Sequence, residues 1–145
     1  MKRSAKLSKA DRELIAAATA AIKLRYRDDW QEVGAALRTR SGQVFTGVNL
    51  DAYLGRMAVC AEAIALGRAF VDLGDDGIDT IVAVRHPRPE QKDQSVAVVS
   101  PCGACRELIF DYDPQARVIV PNGRSAAAVR IGDLLPNKYN RGSEG

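Results

Sequence analysis

Pro101-Cys102-Gly103-Ala104-Cys105 holds two of the chain's three cysteines, and the third, Cys60, heads the triplet Cys60-Ala61-Glu62. If the C-x-x-C opens a helix, both sulfurs share one face, because residues three apart are neighbours on a helix surface. Thiols at a helix N-terminus are drawn toward the thiolate by the backbone dipole. That geometry suits a redox disulfide and a metal equally, so the pair alone leaves both open. Cys60 breaks the tie. It also opens an apparent helix, and two helix N-termini facing each other would bring three thiolates to one point. Three protein ligands and an open fourth position make a catalytic zinc site, whereas a structural zinc takes four. Glu62, two residues past Cys60, would then hang beside the open position, ready to take a proton from activated water. The single histidine, His86, sits in a charged, proline-flanked loop and reads as a solvated residue.

These residues need helices that begin at Cys60 and at Cys102, and a scaffold that faces them toward each other. Ser8 as N-cap with Asp11 reaching back predicts a helix start. Leu14, Ile15, Ala18, Ile22 and Leu24 then recur at roughly helical spacing over residues 9–24. Val33–Leu37 and Val44–Val48, joined by the turn at Arg40-Ser41-Gly42, read as a β-hairpin. A loop from Asn49 to Val59 leads into Cys60–Asp72, apolar on most faces and so expected to be a buried helix. Ile78–Val84 reads as a core strand, residues 86–94 as an exposed loop and Ser95–Val99 as another strand. A helix from Pro101-Cys102 to about Tyr112 follows, then strands at Val118–Val120 and Ala126–Val129 and a short helix at Ile131–Leu135. Strands mixed with helices in this order predict one three-layer α/β domain over residues 1–145, with loose tails at 1–7 and 140–145.

Composition narrows the class. A chain of 145 residues with 46% apolar and 27% charged side chains is that of an ordinary globular domain able to bury a core. The net charge of +3, with no basic stripe interleaved with aromatics, argues against a nucleic-acid polymer as partner. No apolar stretch follows the basic start, so no secretory leader is expected, and no run is long enough to span a membrane. An odd number of cysteines fits a disulfide framework poorly and points to a reducing cytoplasm.

Cys60-Ala61-Glu62 with Pro101-Cys102-Gly103-Ala104-Cys105 is the pattern of zinc deaminases, in which a glutamate that is not a ligand works beside the metal. With Val33–Leu37, Gly47-Val48-Asn49, Ser100–Arg106 and Leu134-Leu135-Pro136, the chain resembles the homotetrameric cytidine deaminases and blasticidin-S deaminase from about residue 10 to residue 139. The resemblance implies a three-layer α/β/α fold with a central mixed five-stranded sheet. It implies one zinc on Cys60, Cys102 and Cys105, with water at the fourth position and Glu62 as proton shuttle. Water would attack C4 of a cytosine ring, giving the uracil form and ammonia. Backbone groups at Ala61 and near Ser100 would hold the base, and Asn49 and Asp51 would grip the ribose hydroxyls. Tyr139 would reach its own pocket or that of a neighbouring subunit in a tetramer.

Several positions depart from the family's pattern. Asp51 is one methylene shorter than the usual glutamate, Gln31 stands where a base-stacking phenylalanine is common, with Trp30 beside it, and Ala63 replaces an arginine that often follows the Glu. Three thiolates on one divalent zinc leave a net negative cluster, so a compensating cation is expected, and Arg106 is the best-placed candidate. The expected function is zinc-dependent deamination of cytidine, deoxycytidine or a related nucleoside, with blasticidin S or another modified cytosine nucleoside as the alternative substrate. Two readings of other classes stand beside it. One is a zinc-containing protein that binds a nucleoside without turnover, and the other is a thiol redox protein using Cys102 and Cys105.

Overall fold

Alternation along the strands sorts the apolar residues onto two faces, and that alternation makes the layers. In the computed structural model, which describes residues 6–142, the elements are α1 (Lys9–Arg25), β1 (Val33–Thr39), β2 (Val44–Val48), α2 (Ala61–Leu73), β3 (Ile78–Arg85), β4 (Ala97–Val99), α3 (Gly103–Tyr112), β5 (Arg117–Asn122) and β6 (Ser125–Arg130). Short 3₁₀ turns lie at Gly55–Met57 and Ile131–Leu134. The expected tails reach residues 1–5 and 143–145, which lie outside the described residues.

Ala36, Val82, Val84, Ile119 and Ala128 face α1, whose stripe of Leu14, Ala18 and Ile22 packs on them. Ala35, Leu37, Ile81, Ala83 and Val118 face the other way, onto α2 (Ala61, Ala65, Leu66, Ala69) and α3 (Cys105, Ile109). Each fully buried Leu, Ile or Val of this kind contributes roughly 1.5–3 kcal/mol. The result is α/β/α, as expected. The strand order is β2-β1-β3-β5-β6, with β3–β5 parallel and the other pairs of that path antiparallel. The resemblance implied five strands; the sixth, β4, is the strand expected at Ser95–Val99. β5 pairs with Thr80–Val82 and β4 with Ala83–Arg85, so the two share one edge of β3.

The capping box at α1 is formed as predicted. Ser8 Oγ accepts from the N–H of Asp11 at 3.1 Å, and the N–H of Ser8 donates to the Asp11 carboxylate at 3.1 Å. Asp11 is also buried against two guanidiniums, at 3.0 Å from Arg38 and 3.1 Å from Arg117, which tie the helix start to β1 and β5. Burial pushes its carboxyl up, but those hydrogen bonds outweigh it and bring it down to about 2.

Three expectations change. α2 is not buried all round: its inner face carries Ala61, Glu62, Ala65, Leu66 and Ala69, while Phe70 and Val71 stand 49% and 80% exposed on the outer layer. β4 begins at Ala97, two residues later than expected, because the Asp93 carboxylate accepts from the N–H and hydroxyl of Ser95 and makes a turn there. His86 is not a free loop residue. Its ring stacks on Tyr26 with centroids 3.7 Å apart, and its N–H donates to the carbonyl of Glu32.

Gly47 on β2 places the chemistry. A Cβ there would stand 2.6 Å from both the carbonyl oxygen of Ala61 and the nitrogen of Ala65. Only glycine lets the first turn of α2 lie this close to the sheet.

Candidate active site

Cys60 and Cys102 are the N-cap residues of α2 and α3, so each sulfur sits where unpaired helix N–H groups gather. One turn into α3 lies Cys105, whose N–H donates to Cys102 Sγ at 3.5 Å. Among the described residues, Cys60, Cys102 and Cys105 form one group of potential ligands, their sulfurs all within 4.8 Å of one another.

Geometry separates a metal site from a disulfide. Cys60 Sγ and Cys102 Sγ are 3.6 Å apart, and all three cysteines are free. Bonds of about 2.3 Å from zinc at tetrahedral angles put sulfurs about 3.8 Å apart, against about 2.05 Å in a disulfide. The spacing fits a shared ion. Electrostatics agree. Burial raises the Cys60 thiol, and burial with the Glu62 carboxylate beside it raises Cys105. At Cys102, burial also pushes upward, but the N–H groups of Cys105 and Ala104 and the neighbouring thiols bring it below its usual range. Three sulfurs and a carboxylate crowded together are a site that a divalent cation relieves.

Glu62 lies in the first turn of α2 and is only 6% exposed. Burial holds its carboxyl above the ordinary range, partly opposed by hydrogen bonds from its own N–H and from Cys105. A raised carboxyl suits a group that must both take and return a proton near neutrality.

Above this floor opens a cleft enclosing about 720 Å³, part of it open to solvent. Cys60, Ala61, Glu62, Ser100 and Cys102 line it, as do Asn49 and Asp51, while Val33, Leu50, Ala58, Val59 and Val99 supply apolar walls. Cys105 is buried behind. Seven residues singled out in the sequence thus line one cleft, while the walls Leu50, Ala58, Val59 and Val99, which carry no motif, were not singled out. Nor was Glu32, a buried carboxylate held by Arg85 and Arg88 beside the cleft.

Two further expected site residues lie outside the cleft lining. The hydrogen bonds of the Arg106 guanidinium go to the carbonyls of Pro101 at 2.9 Å and Leu134 at 3.4 Å. It braces the start of α3 against the C-terminal turn, while Cys102 Sγ accepts from the N–H of Cys105. Tyr139 is 80% exposed and takes no part in lining the cleft of its own chain. Its neighbour Lys138 is clamped on α3, 3.1 Å from Glu107 and 2.8 Å from Asp111.

A three-layer α/β/α domain with three sulfurs and a buried glutamate at paired helix starts defines a class, the zinc-dependent deaminases. Residues 8–121 match the family model described as the cytidine and deoxycytidylate deaminase zinc-binding region, and the chain belongs to this family. It is 47% identical over 135 residues to blasticidin-S deaminase of Bacillus cereus, covering 93% of this chain and 96% of that one. With a cytidine deaminase of Halalkalibacterium halodurans it shares 29% identity over 74% of its own length and 76% of the relative's. The crystal structure of cytidine deaminase from Burkholderia pseudomallei superposes with a TM-score of 0.70 at 28% identity, covering 92% of this chain and all of that one. The chain is thus a zinc-dependent hydrolase of the cytidine deaminase family. No helix among the described residues is long and apolar enough to cross a membrane.

Proposed function

We propose that the enzyme converts a cytosine nucleoside and water into the uracil form and ammonia. The observation that carries this reading is the Glu62 carboxyl, buried beside the three sulfurs at the floor of the cleft. Cys60, Cys102 and Cys105 hold the zinc, which when bound lowers the pKa of water and makes it nucleophilic near pH 7. Glu62 takes the proton as the water oxygen bonds to C4, and passes it to the adjacent ring nitrogen. It then moves the remaining proton of that oxygen to the exocyclic nitrogen, whose bond to C4 breaks to release ammonia as the C4 carbonyl forms. Backbone groups at Ala61 and Ser100, both in the lining, orient the base, and Asp51 faces the sugar side.

Within that class, one finding favours blasticidin S over cytidine: 47% identity to a blasticidin-S deaminase across 96% of its length. The chain would then be a resistance enzyme; with cytidine or deoxycytidine it would serve pyrimidine salvage. Initial rates on cytidine, deoxycytidine and blasticidin S, followed by loss of cytosine absorbance, decide. Turnover of none of the three refutes the reading.

The working unit is proposed to be a homo-oligomer, a tetramer by family resemblance. Exposed Phe70, Val71 and Tyr112 on the α2/α3 face, and Leu50, Tyr53, Leu54 and Met57 at the cleft rim, support burial against further copies. Tyr139 would then act at a neighbour's cleft. We infer a cytoplasmic location from three thiols that must stay reduced to bind metal.

A further inference from the structure

α3 supplies two of the three sulfurs, Cys102 as its N-cap and Cys105 in its first turn, yet of its ten residues only Cys105 and Ile109 are buried. A helix that short does not hold itself in water and depends on packing for its place. Part of that packing comes from the C-terminal segment. Its start is pinned to the core, where Ile131 is fully buried and its N–H donates to the carbonyl of Ala116 at 2.9 Å. From there the segment is fastened to α3 at successive points.

Arg106 is the fastener nearest the sulfurs. Its Nε donates to the carbonyl of Pro101 at 2.9 Å, and its Nη1 to the carbonyl of Leu134 at 3.4 Å. The Pro101 carbonyl belongs to the planar peptide that joins Pro101 to Cys102, so one rigid guanidinium fixes that peptide against the C-terminal turn. Lys138 is the second fastener. Its side chain is 7% exposed, with Nζ 3.1 Å from Glu107, 2.8 Å from Asp111 and 5.3 Å from the centre of the Phe110 ring. Asn137, at φ +55°, turns the chain just before it, a left-handed conformation in which asparagine is enriched. Arg106, Glu107, Phe110 and Asp111 share one flank of α3, beside the buried pair Cys105 and Ile109.

We propose that Arg106 and Lys138 are positioning residues of the metal centre: they strap the C-terminal segment to α3 and so hold Cys102 and Cys105 in place opposite Cys60. This rests on the three cysteines being the zinc ligands. Loosening either fastener frees the start of α3, and two of the three ligands move with it.

The test is the rate at which the zinc-loaded enzyme gives up its metal to an excess of a coloured chelator, read beside hydrogen exchange of the α3 amides. Arg106→Gln is too short to span the two carbonyls, whereas Arg106→Lys keeps one donor for Pro101. Lys138→Met keeps the stem over Phe110 and removes both ion pairs. Asp11→Asn loosens α1 on the opposite face of the sheet and controls for a general loss of stability. Zinc release should be about tenfold faster in Arg106→Gln and at least about threefold faster in Lys138→Met. It should be partly restored in Arg106→Lys and within about twofold of wild type in Asp11→Asn. Exchange in α3 should rise in the first two variants. Release within about twofold of wild type in either of them, or an equal acceleration in Asp11→Asn, would overturn the proposal. If Arg106→Gln does not fold, Arg106→Lys and Lys138→Met decide. If the wild type held no zinc, the reading of the ligand set would fail, while exchange in α3 would still support or refute the strap.

Discussion

At the scale of single residues, the site is a problem of charge. Three thiols and a carboxyl stand within a few ångströms, and burial raises Cys60, Cys105 and Glu62 above their usual ranges. A divalent ion on the sulfurs reverses that balance and leaves Glu62 free to carry a proton. Serine is a poor zinc ligand, so Cys60→Ser, Cys102→Ser and Cys105→Ser should each fall well below one zinc per chain by elemental analysis. Metal binding and folding are coupled, so melting temperatures should fall too, furthest for Cys105, which is only 3% exposed. A variant that keeps stoichiometric zinc would remove its cysteine from the ligand set. The ligand set was legible in the sequence because metal chemistry demands particular atoms at particular spacings. Arg106 shows the limit: adjacency to Cys105 suggested a charge partner, but where its long side chain lands depends on Pro101 and Leu134, brought near by folding.

Elements position this chemistry by bringing the first turns of α2 and α3 together over one face of the sheet. Gly47 allows α2 to lie against β2, so Gly47→Ala should push the Ala61–Ala65 turn outward and carry Cys60 and Glu62 with it. The expected effect is a loss of about 1–3 kcal/mol of stability by chemical denaturation, with kcat reduced more than the loss of folded protein explains. Unchanged kcat would show that the fit of α2 on β2 does not set the site. Helix starts at Ser8, Cys60 and Cys102 and the 33–48 hairpin could be read from caps, periodicity and a turn residue. The conformation of the Trp30–Val33 segment could not, since Glu32 is held by Asn49 from 17 positions away and by Arg85 from 53 away. The overestimated burial of α2 has a related cause: Phe70 and Val71 are apolar by type, and only the layer they face decides whether they are covered.

For the whole molecule, the buried Asp11–Arg38–Arg117 cluster joins α1 to β1 and β5 and makes stability depend on pH. The carboxyl of Asp11 titrates at about 2 in the fold against 3.8 when free. A depressed carboxyl adds stability above pH 4, and that stability is lost as pH falls from 4 toward 2, where the unfolded chain binds the proton first. The gap between wild type and Asp11→Asn in urea denaturation should therefore narrow by about 2 kcal/mol between pH 5 and pH 2. A gap independent of pH would contradict this. Sedimentation should find an oligomer; a monomer with full activity would remove the proposed role of Tyr139 at a neighbour's cleft.

The central claim is that Glu62 moves the proton for a deamination at a zinc site built by Cys60, Cys102 and Cys105. Its most direct test is the turnover of Glu62→Gln on whichever cytosine nucleoside the wild type prefers, with zinc measured in the same sample. With one zinc per chain retained, kcat should fall by roughly 100-fold to 10,000-fold. Turnover within a few-fold of wild type at full zinc would contradict the account.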